Sequence, residues 1–204
     1  MTLRSIKLSA TESDWRLFTI RRADPKFQKF QQRVFSRDQD TCQYCGFKSE
    51  RFMDVVNADG DYKNNHISNL VTACPFCAQC FFLDGIGKGD TGGGTLIYLP
   101  EMSQNDLNAF CHVLFAMVIS GGKSSADAKT IYRNLRMRSQ YVEKELGKGL
   151  STPSVYGQLL IDSMIDDKES LHDTLMAKIR VLPAMTRYLG EMESWELEAM
   201  IGMG

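Results

Sequence analysis

Hydrophobic positions divide the chain into two stretches of different texture. Up to about residue 100, apolar residues fall in short runs broken by polar and glycine-rich segments; beyond it they recur at helical spacing. In the first stretch, Asp24-Pro25 followed by Phe27, Phe30, Gln31 and Val34 predicts a short helix. Asp24 is its expected N-cap, and Pro25 suits the first helical position, where no N–H is needed. Met53-Asp54-Val55-Val56 predicts a strand and Asp59-Gly60 a turn. A helix is expected from near Ser68-Asn69 towards Leu83. Residues 84–94 hold six glycines and read as a flexible loop, and TLIYLP, residues 95–100, reads as a strand.

In the second stretch, Ser103-x-x-Asp106 is a capping-box-like helix start. Leu107, Phe110, Cys111, Leu114, Phe115 and Val118 follow at helical spacing, and Gly121-Gly122 ends the run. Ser124 or Ser125 is expected to cap a second helix with Ala128, Ile131, Leu135, Val142 and Leu146 on one face, stopped by Gly147 and Gly149. Thr152-Pro153 opens a third, carrying Tyr156, Leu159, Leu160 and Ser163. A fourth carries Leu171, Leu175, Ile179 and Leu182 and breaks at Pro183; a short fifth covers 184–189, and Ser194-Trp195 opens a last turn or two. No internal repeat is visible. The fold class is therefore α+β, with one domain over 1–100 and an all-α helical region over 101–204.

Composition narrows the function classes. Of 204 residues, 43% are hydrophobic and 24% charged, which supports a sizeable core and excludes a disordered or fibrous chain. No apolar run reaches the ~18 residues of a membrane span, and MTLRSIKLSATESDWR lacks the apolar stretch of a signal peptide. Net charge is −1 and the pI about 6.3, a poor match to nucleic-acid binding, which is dominated by phosphate neutralisation. The most basic segment, 129–148, has six Lys/Arg against two Glu, as an ordinary solvated helix would. Residues 1–51 carry eleven basic against six acidic side chains, and 162–204 nine acidic against four basic. Nine of the eleven methionines lie from Met102 onward. They read first as ordinary core filling, with an adaptable partner surface as the alternative, and separately Tyr188, Trp195, Glu191, Glu193, Glu196 and Glu198 suggest a docking patch.

The chemistry-bearing signal is Cys42-x-x-Cys45 and Cys74-x-x-Cys77, with 28 residues between the pairs. Two residues between cysteines let one tight turn present both sulfurs to one ion, and Gly46 suits such a turn. Two turns complete a tetrahedral zinc site. Four cysteines leave no open coordination position, so the expected Zn2+ is single and structural, contributing on the order of ~10–16 kcal/mol of folding energy. Cys80, in CPFCAQC, is an alternative ligand; a small buried residue is the simpler reading. Cys111 sits in an apolar helical stripe and reads as core. His66 reads as a loop or N-cap residue, and His112 and His172 as lone helix histidines. Gly122-Lys123-Ser124 is no phosphate loop: Met117 stands where that motif needs glycine, and a helix precedes it.

The flanks of the cysteine pairs carry a resemblance. Arg33-Val34-Phe35-Ser36-Arg37-Asp38, running on to Cys42-Gln43-Tyr44-Cys45-Gly46, is similar to the opening of an HNH (ββα-metal) domain. So is Met53 to Asp61, with Asn64-Asn65 and Asn69-Leu70-Val71-Thr72-Ala73-Cys74-Pro75-Phe76-Cys77. That family implies a structural zinc on the two pairs, a His-His or Asp-His pair closing the intervening strand, and a further His just after the last cysteine. Here those positions are Val56-Asn57 and Ala78, and of the name-giving residues only Asn69 remains. Valine and alanine offer no ligand, and an Asn57 amide takes no proton from water at neutral pH. Metal-assisted hydrolysis needs both a metal and a base. The resemblance thus implies a degenerate HNH-like zinc-knuckle domain with no catalytic residues.

The chain as a whole resembles the IcmJ (DotN) family of Dot/Icm type IVB secretion subunits. The likeness rests on TESDWRLF, RVFSRDQDTCQYCGF, NNHISNLVTACPFCAQCFFLDG and the helical second half. It implies zinc ligation by Cys42, Cys45, Cys74 and Cys77 and a non-enzymatic adaptor of the coupling complex. It further implies docking on the C-terminal extension of the coupling ATPase, with adaptor proteins of the same complex as neighbours. The implied location is cytoplasmic, peripheral to the inner membrane through the complex, without membrane insertion or a nucleic-acid partner. A zinc-dependent nucleic-acid-binding module and a residual HNH nuclease are the alternatives.

Overall fold

The computed structural model describes residues 2–163, 177–188 and 190. In chain order the elements are α1 (Asp14–Ala23), α2 (Pro25–Arg37), β1 (Asp54–Asn57), β2 (Leu70–Ala73), α3 (Pro75–Ala78), β3 (Gly94–Tyr98), α4 (Gln104–Ser120), α5 (Gly122–Met137), α6 (Ser139–Leu146), α7 (Pro153–Ser163) and β4 (Ile179–Pro183). Single turns of 3-10 helix occupy Ile67–Asn69, Gln79–Phe81 and Leu83–Gly85. The protein is a mixture of helices and two small antiparallel sheets.

Several local signals act as expected. Asp24 caps α2, its carboxylate accepting the Lys26 N–H at 2.8 Å, with Pro25 at the first helical position. The Ser103 hydroxyl caps α4 by accepting the Asp106 N–H at 3.1 Å. β1 and β2 form an antiparallel pair running from Asp54 opposite Ala73 to Asn57 opposite Leu70. Gly60 takes a φ of +78° in the turn that follows β1, a conformation that favours glycine.

Four expectations need correction. The helix expected from Ser68 to Leu83 is a 3-10 turn, strand β2, the short α3 and two more 3-10 turns. Val71, Thr72 and the buried Leu70 fit a fully buried strand as well as a helix, and pairing with β1 decides it. α5 starts at Gly121-Gly122 rather than at a serine cap, because the Ser125 hydroxyl donates back to the Val118 carbonyl. The single helix expected as far as Leu146 is two, divided at Arg138. The region beyond residue 100 is not all-helical: Ile179 and Leu182, placed on a helix, belong to β4. Leu171 and Leu175, expected on that same helix, lie outside the described residues.

β4 is a strand because of what it joins. It pairs antiparallel with β3, Leu96 opposite Val181 and Tyr98 opposite Ile179. The strand's two-residue period sends Leu96, Ile179 and Val181 to one face and Ile97 and Leu182 to the other. Each face meets its own apolar cluster. Leu96, Ile179 and Val181 pack with Leu8, Leu83, Val142 and Tyr156, while Ile97 and Leu182 pack with Phe76, Leu107, Phe115 and the cysteine turns. The ribbon is a wall between two cores, and a one-residue slip would send each apolar side chain to the wrong side.

The glycine-rich stretch is anchored rather than free. Asp84, Gly85 and Ile86 are buried, Lys88 bridges to Thr91, and the exposed part is only 87–90. Residues 185–188 form the expected short helix, but Tyr188 is buried at 3% exposure and belongs to the core rather than to a docking patch. Trp195, Glu191, Glu193, Glu196 and Glu198 lie outside the described residues.

Candidate metal centre

Two turns deliver the sulfurs. After α2, Thr41 bridges Lys48, the Cys42 N–H donates to the Phe47 carbonyl, and Gly46 (φ +78°) donates its N–H to the Cys42 carbonyl. The second turn is the start of α3. Cys74 is its N-cap, Pro75 follows, and the N–H groups of Cys77 and Ala78 donate to the Cys74 carbonyl at 3.0 and 2.9 Å. β2 joins the two, because the Gln43 N–H donates to the Thr72 carbonyl one residue before Ala73 and Cys74. Arg37 fixes the same strand to α2 through the carbonyls of Ile67 and Leu70.

The result is a cluster of Cys42, Cys45, Cys74 and Cys77 whose sulfurs all lie within 4.8 Å of one another. Cys42, Cys74 and Cys77 are fully buried and Cys45 is half-buried. All four thiols are free, so no disulfide explains their approach. Zinc–sulfur bonds of about 2.3 Å in a tetrahedron require sulfurs about 3.8 Å apart, and Cys45 Sγ lies 3.5 Å from Cys74 Sγ. The donor set and its spacing suit one thiophilic ion of tetrahedral preference.

Electrostatics point the same way. Burial pushes the Cys74 and Cys77 thiols well above the ordinary range. Burial also opposes ionisation of Cys42, yet hydrogen bonds from Cys45, Cys74 and Cys77 hold its thiol far below the ordinary value. Four buried thiolates would repel one another strongly, and a dication is the natural counter-charge.

α4 closes the cluster from above. The Asn108 amide Nδ2 donates to Cys77 Sγ at 3.2 Å, and to the Phe76 carbonyl at 3.2 Å. His112 Nε2 lies 3.3 Å from Cys74 Sγ. Burial pushes the His112 imidazole down to about 3, so it is neutral at pH 7. The ring stacks between Phe47, 3.8 Å between centroids, and Phe76, 4.2 Å. The sequence reading missed both residues, treating His112 as a lone helix histidine. The available signal was an interruption: Asn108 and His112 are polar, four apart, inside the apolar stripe of Leu107, Cys111 and Leu114.

Cys80 stands apart from the four-sulfur group. Its thiol donates to the Phe76 carbonyl at 3.3 Å, and burial raises it to about 12. Cys111 is buried core. His66 is the exposed residue preceding a 3-10 turn, its Nδ1 2.8 Å from the Ser68 hydroxyl. His172 lies outside the described residues.

The positions where the HNH resemblance implies metal-binding histidines are otherwise employed. Val56 and Ala78 are buried core. The Asn57 Nδ2 donates to the carbonyls of Asp61 and Asn64, both at 2.8 Å, clamping the turn after β1, and its Oδ1 accepts from Arg21. Arg21 also donates to Val55 O and Asn65 Oδ1, and its guanidinium lies over the rings of Phe27 and Tyr62. Asn69 donates its side-chain N–H to Asp59 and to the Asn64 carbonyl, another loop clamp. Polar capacity here is spent on holding the loop.

Fold and site together define an α+β protein built around a closed four-cysteine cluster lidded by a helix. No family model matches the chain. It is 46% identical over 195 residues to the type 4 apparatus protein DotN of Legionella pneumophila subsp. pneumophila, a match covering 96% of this chain and 91% of that protein. The chain belongs to the DotN family of type 4 apparatus proteins.

Proposed function

We propose that this chain is a non-enzymatic adaptor of a type IVB secretion coupling complex. It holds one structural zinc ion on Cys42, Cys45, Cys74 and Cys77 and docks on the C-terminal extension of the coupling ATPase, beside adaptor proteins of that complex. The observation that carries the reading is the closed, buried set of four sulfurs in a DotN-family chain. A bound zinc ion would supply cross-linking and charge neutralisation, and it would meet no open position at which to activate water. The chain's own residues do the rest: the two turns aim the sulfurs, α4 covers two of them, and Asn57 and Arg21 clamp the loop after β1.

The location follows from the partner: cytoplasmic, held at the inner membrane through the complex. Among the described residues no helix is long and apolar enough to cross a membrane. The test is a calorimetric titration of the zinc-loaded protein with the ATPase extension. Saturable 1:1 binding supports the adaptor. No binding by folded, zinc-loaded protein overturns the docking. Plasmid incubated with Mg2+ or Mn2+ is expected to stay intact, and cleavage that disappears in His66→Ala would restore the nuclease reading.

A further inference from the structure

We propose that Gln104, Asn108 and His112 of α4 are positioning residues for the metal, the first two as a buried hydrogen-bonded relay from β4 to Cys77 and the third as a separate donor to Cys74, and that together they set how fast zinc leaves. The inference rests on the zinc reading above and goes beyond it, because it assigns the ion's retention to residues far from the cysteine turns in sequence.

The relay starts at the β4 backbone. The Val181 N–H donates to Gln104 Oε1 at 2.8 Å, and Gln104 Nε2 donates to the Val181 carbonyl at 2.9 Å. Those two bonds fix which way the Gln104 amide faces. Gln104 Nε2 also donates to Asn108 Oδ1 at 2.9 Å, which turns the Asn108 Nδ2 towards Cys77 Sγ. Gln104 and Asn108 are buried at 4% and 0% exposure, so no solvent competes for these atoms. A fully satisfied buried network of this kind has one low-energy arrangement.

His112 completes the set one turn further along. Its ring is a plate between Phe47, two residues past Cys45, and Phe76, between Cys74 and Cys77. One imidazole therefore separates an aromatic ring from each cysteine turn and keeps the turns in register. A metal-bound thiolate is an acceptor only, so His112 Nε2, 3.3 Å from Cys74 Sγ, meets it as an N–H donor. Two N–H···S bonds drain charge from Cys77 and Cys74, lower their basicity, and stabilise the four-thiolate set. Outer partners of this type commonly change metal affinity by about 10–100-fold.

Three variants test the relay. His112→Phe keeps the stacked plate and deletes the donor. Asn108→Ala deletes the other donor. Gln104→Met breaks the relay without touching a sulfur. Zinc release to a chromogenic chelator is expected to accelerate about 10-fold or more in each. In cobalt-substituted protein the sulfur-to-cobalt charge-transfer band should move to lower energy in His112→Phe and Asn108→Ala, since the sulfurs become more electron-rich. Far-UV circular dichroism identifies the folded variants. Wild-type release rates in folded His112→Phe and Gln104→Met, with an unmoved band in His112→Phe, overturn the proposal. A wild-type chain that carries no zinc overturns the metal reading itself, a different result.

Discussion

Replacing Gly157 by alanine sets two known effects against each other. Gly157 is a buried residue inside α7. In a free helix the change would stabilise by about 1 kcal/mol, because alanine is the better helix former. In this protein a β-carbon at 157 would sit 2.3 Å from the Asp84 nitrogen and 2.7 Å from both Asp84 Cα and the Leu83 carbonyl carbon. All three are backbone atoms, and their turn is itself held. The Leu83 N–H donates to the Ser9 carbonyl, and Gly85 has the Trp15 ring where its own β-carbon would be, 2.7 Å away. Ordinary contact between carbons lies near 3.5–4.0 Å, so α7 must withdraw by roughly 1 Å and lift Tyr156, now 1% exposed, from its cluster. Overpacking of this sort costs about 1–3 kcal/mol. A clash with three backbone atoms belongs at the upper end of that range, so after the propensity gain the net cost is about 2 kcal/mol, and at about 2–4 °C per kcal/mol the melting temperature should fall by about 4–8 °C. Scanning calorimetry of zinc-loaded protein reads this directly. A melting temperature equal to or above wild type would refute the reasoning, since it would mean that the close approach of α7 to the 83–85 turn is not a constraint.

Three further outcomes are expected. Cys74→Ser should lose its zinc and melt earlier, whereas Cys80→Ser should keep one zinc per chain by elemental analysis; equal loss in both would move Cys80 into the ligand set. Asp38 is buried, which would raise its carboxyl, but hydrogen bonds from Arg37 and from the Thr72 N–H outweigh burial and hold it below the ordinary range. A depressed carboxyl stabilises above its unfolded value of about 3.9 and loses that contribution as pH falls through the folded value. Asp38→Asn should thus cost about 1–3 kcal/mol at pH 7, and its deficit in urea melts should shrink as pH drops below about 4; a deficit independent of pH would contradict the assignment. Arg21→Met should speed amide hydrogen exchange over residues 57–66, where Arg21 holds Asn57 and Asn65, and unchanged exchange there would show that the loop clamps itself.

What was legible in the sequence was what is local. The CxxC pairs needed only their own spacing, and the caps at Asp24 and Ser103 only the next three residues. What was not legible depended on partners far along the chain. Ile179 and Leu182 fit a helix by their three-residue separation, and only β3, over eighty residues earlier, makes them a strand. The glycines of 84–94 looked free because nothing nearby in sequence reveals Trp15 or Gly157 pressing on that turn. Tyr188 looked like surface beside its acidic neighbours, yet its hydroxyl donates to Gln79 in the core. Asn108 and His112 were visible only as blemishes in an apolar stripe, and their meaning lay in cysteines some thirty residues upstream.

The order of synthesis gives the lid on the cysteine cluster a further meaning. A ribosome delivers Cys42 through Cys77 well before α4, so the four sulfurs can gather while the helix that supplies Asn108 and His112 is still being made. The nascent cluster is then open on the side that α4 later covers with Asn108 and His112, and a metal ion could reach the sulfurs through that face. The first residues wait longest. The Ile6 N–H has its partner in Asn105 and the Ser9 N–H in Cys80, so the segment made first is among the last to be seated. An ion taken up at that early stage would be enclosed by the fold that follows.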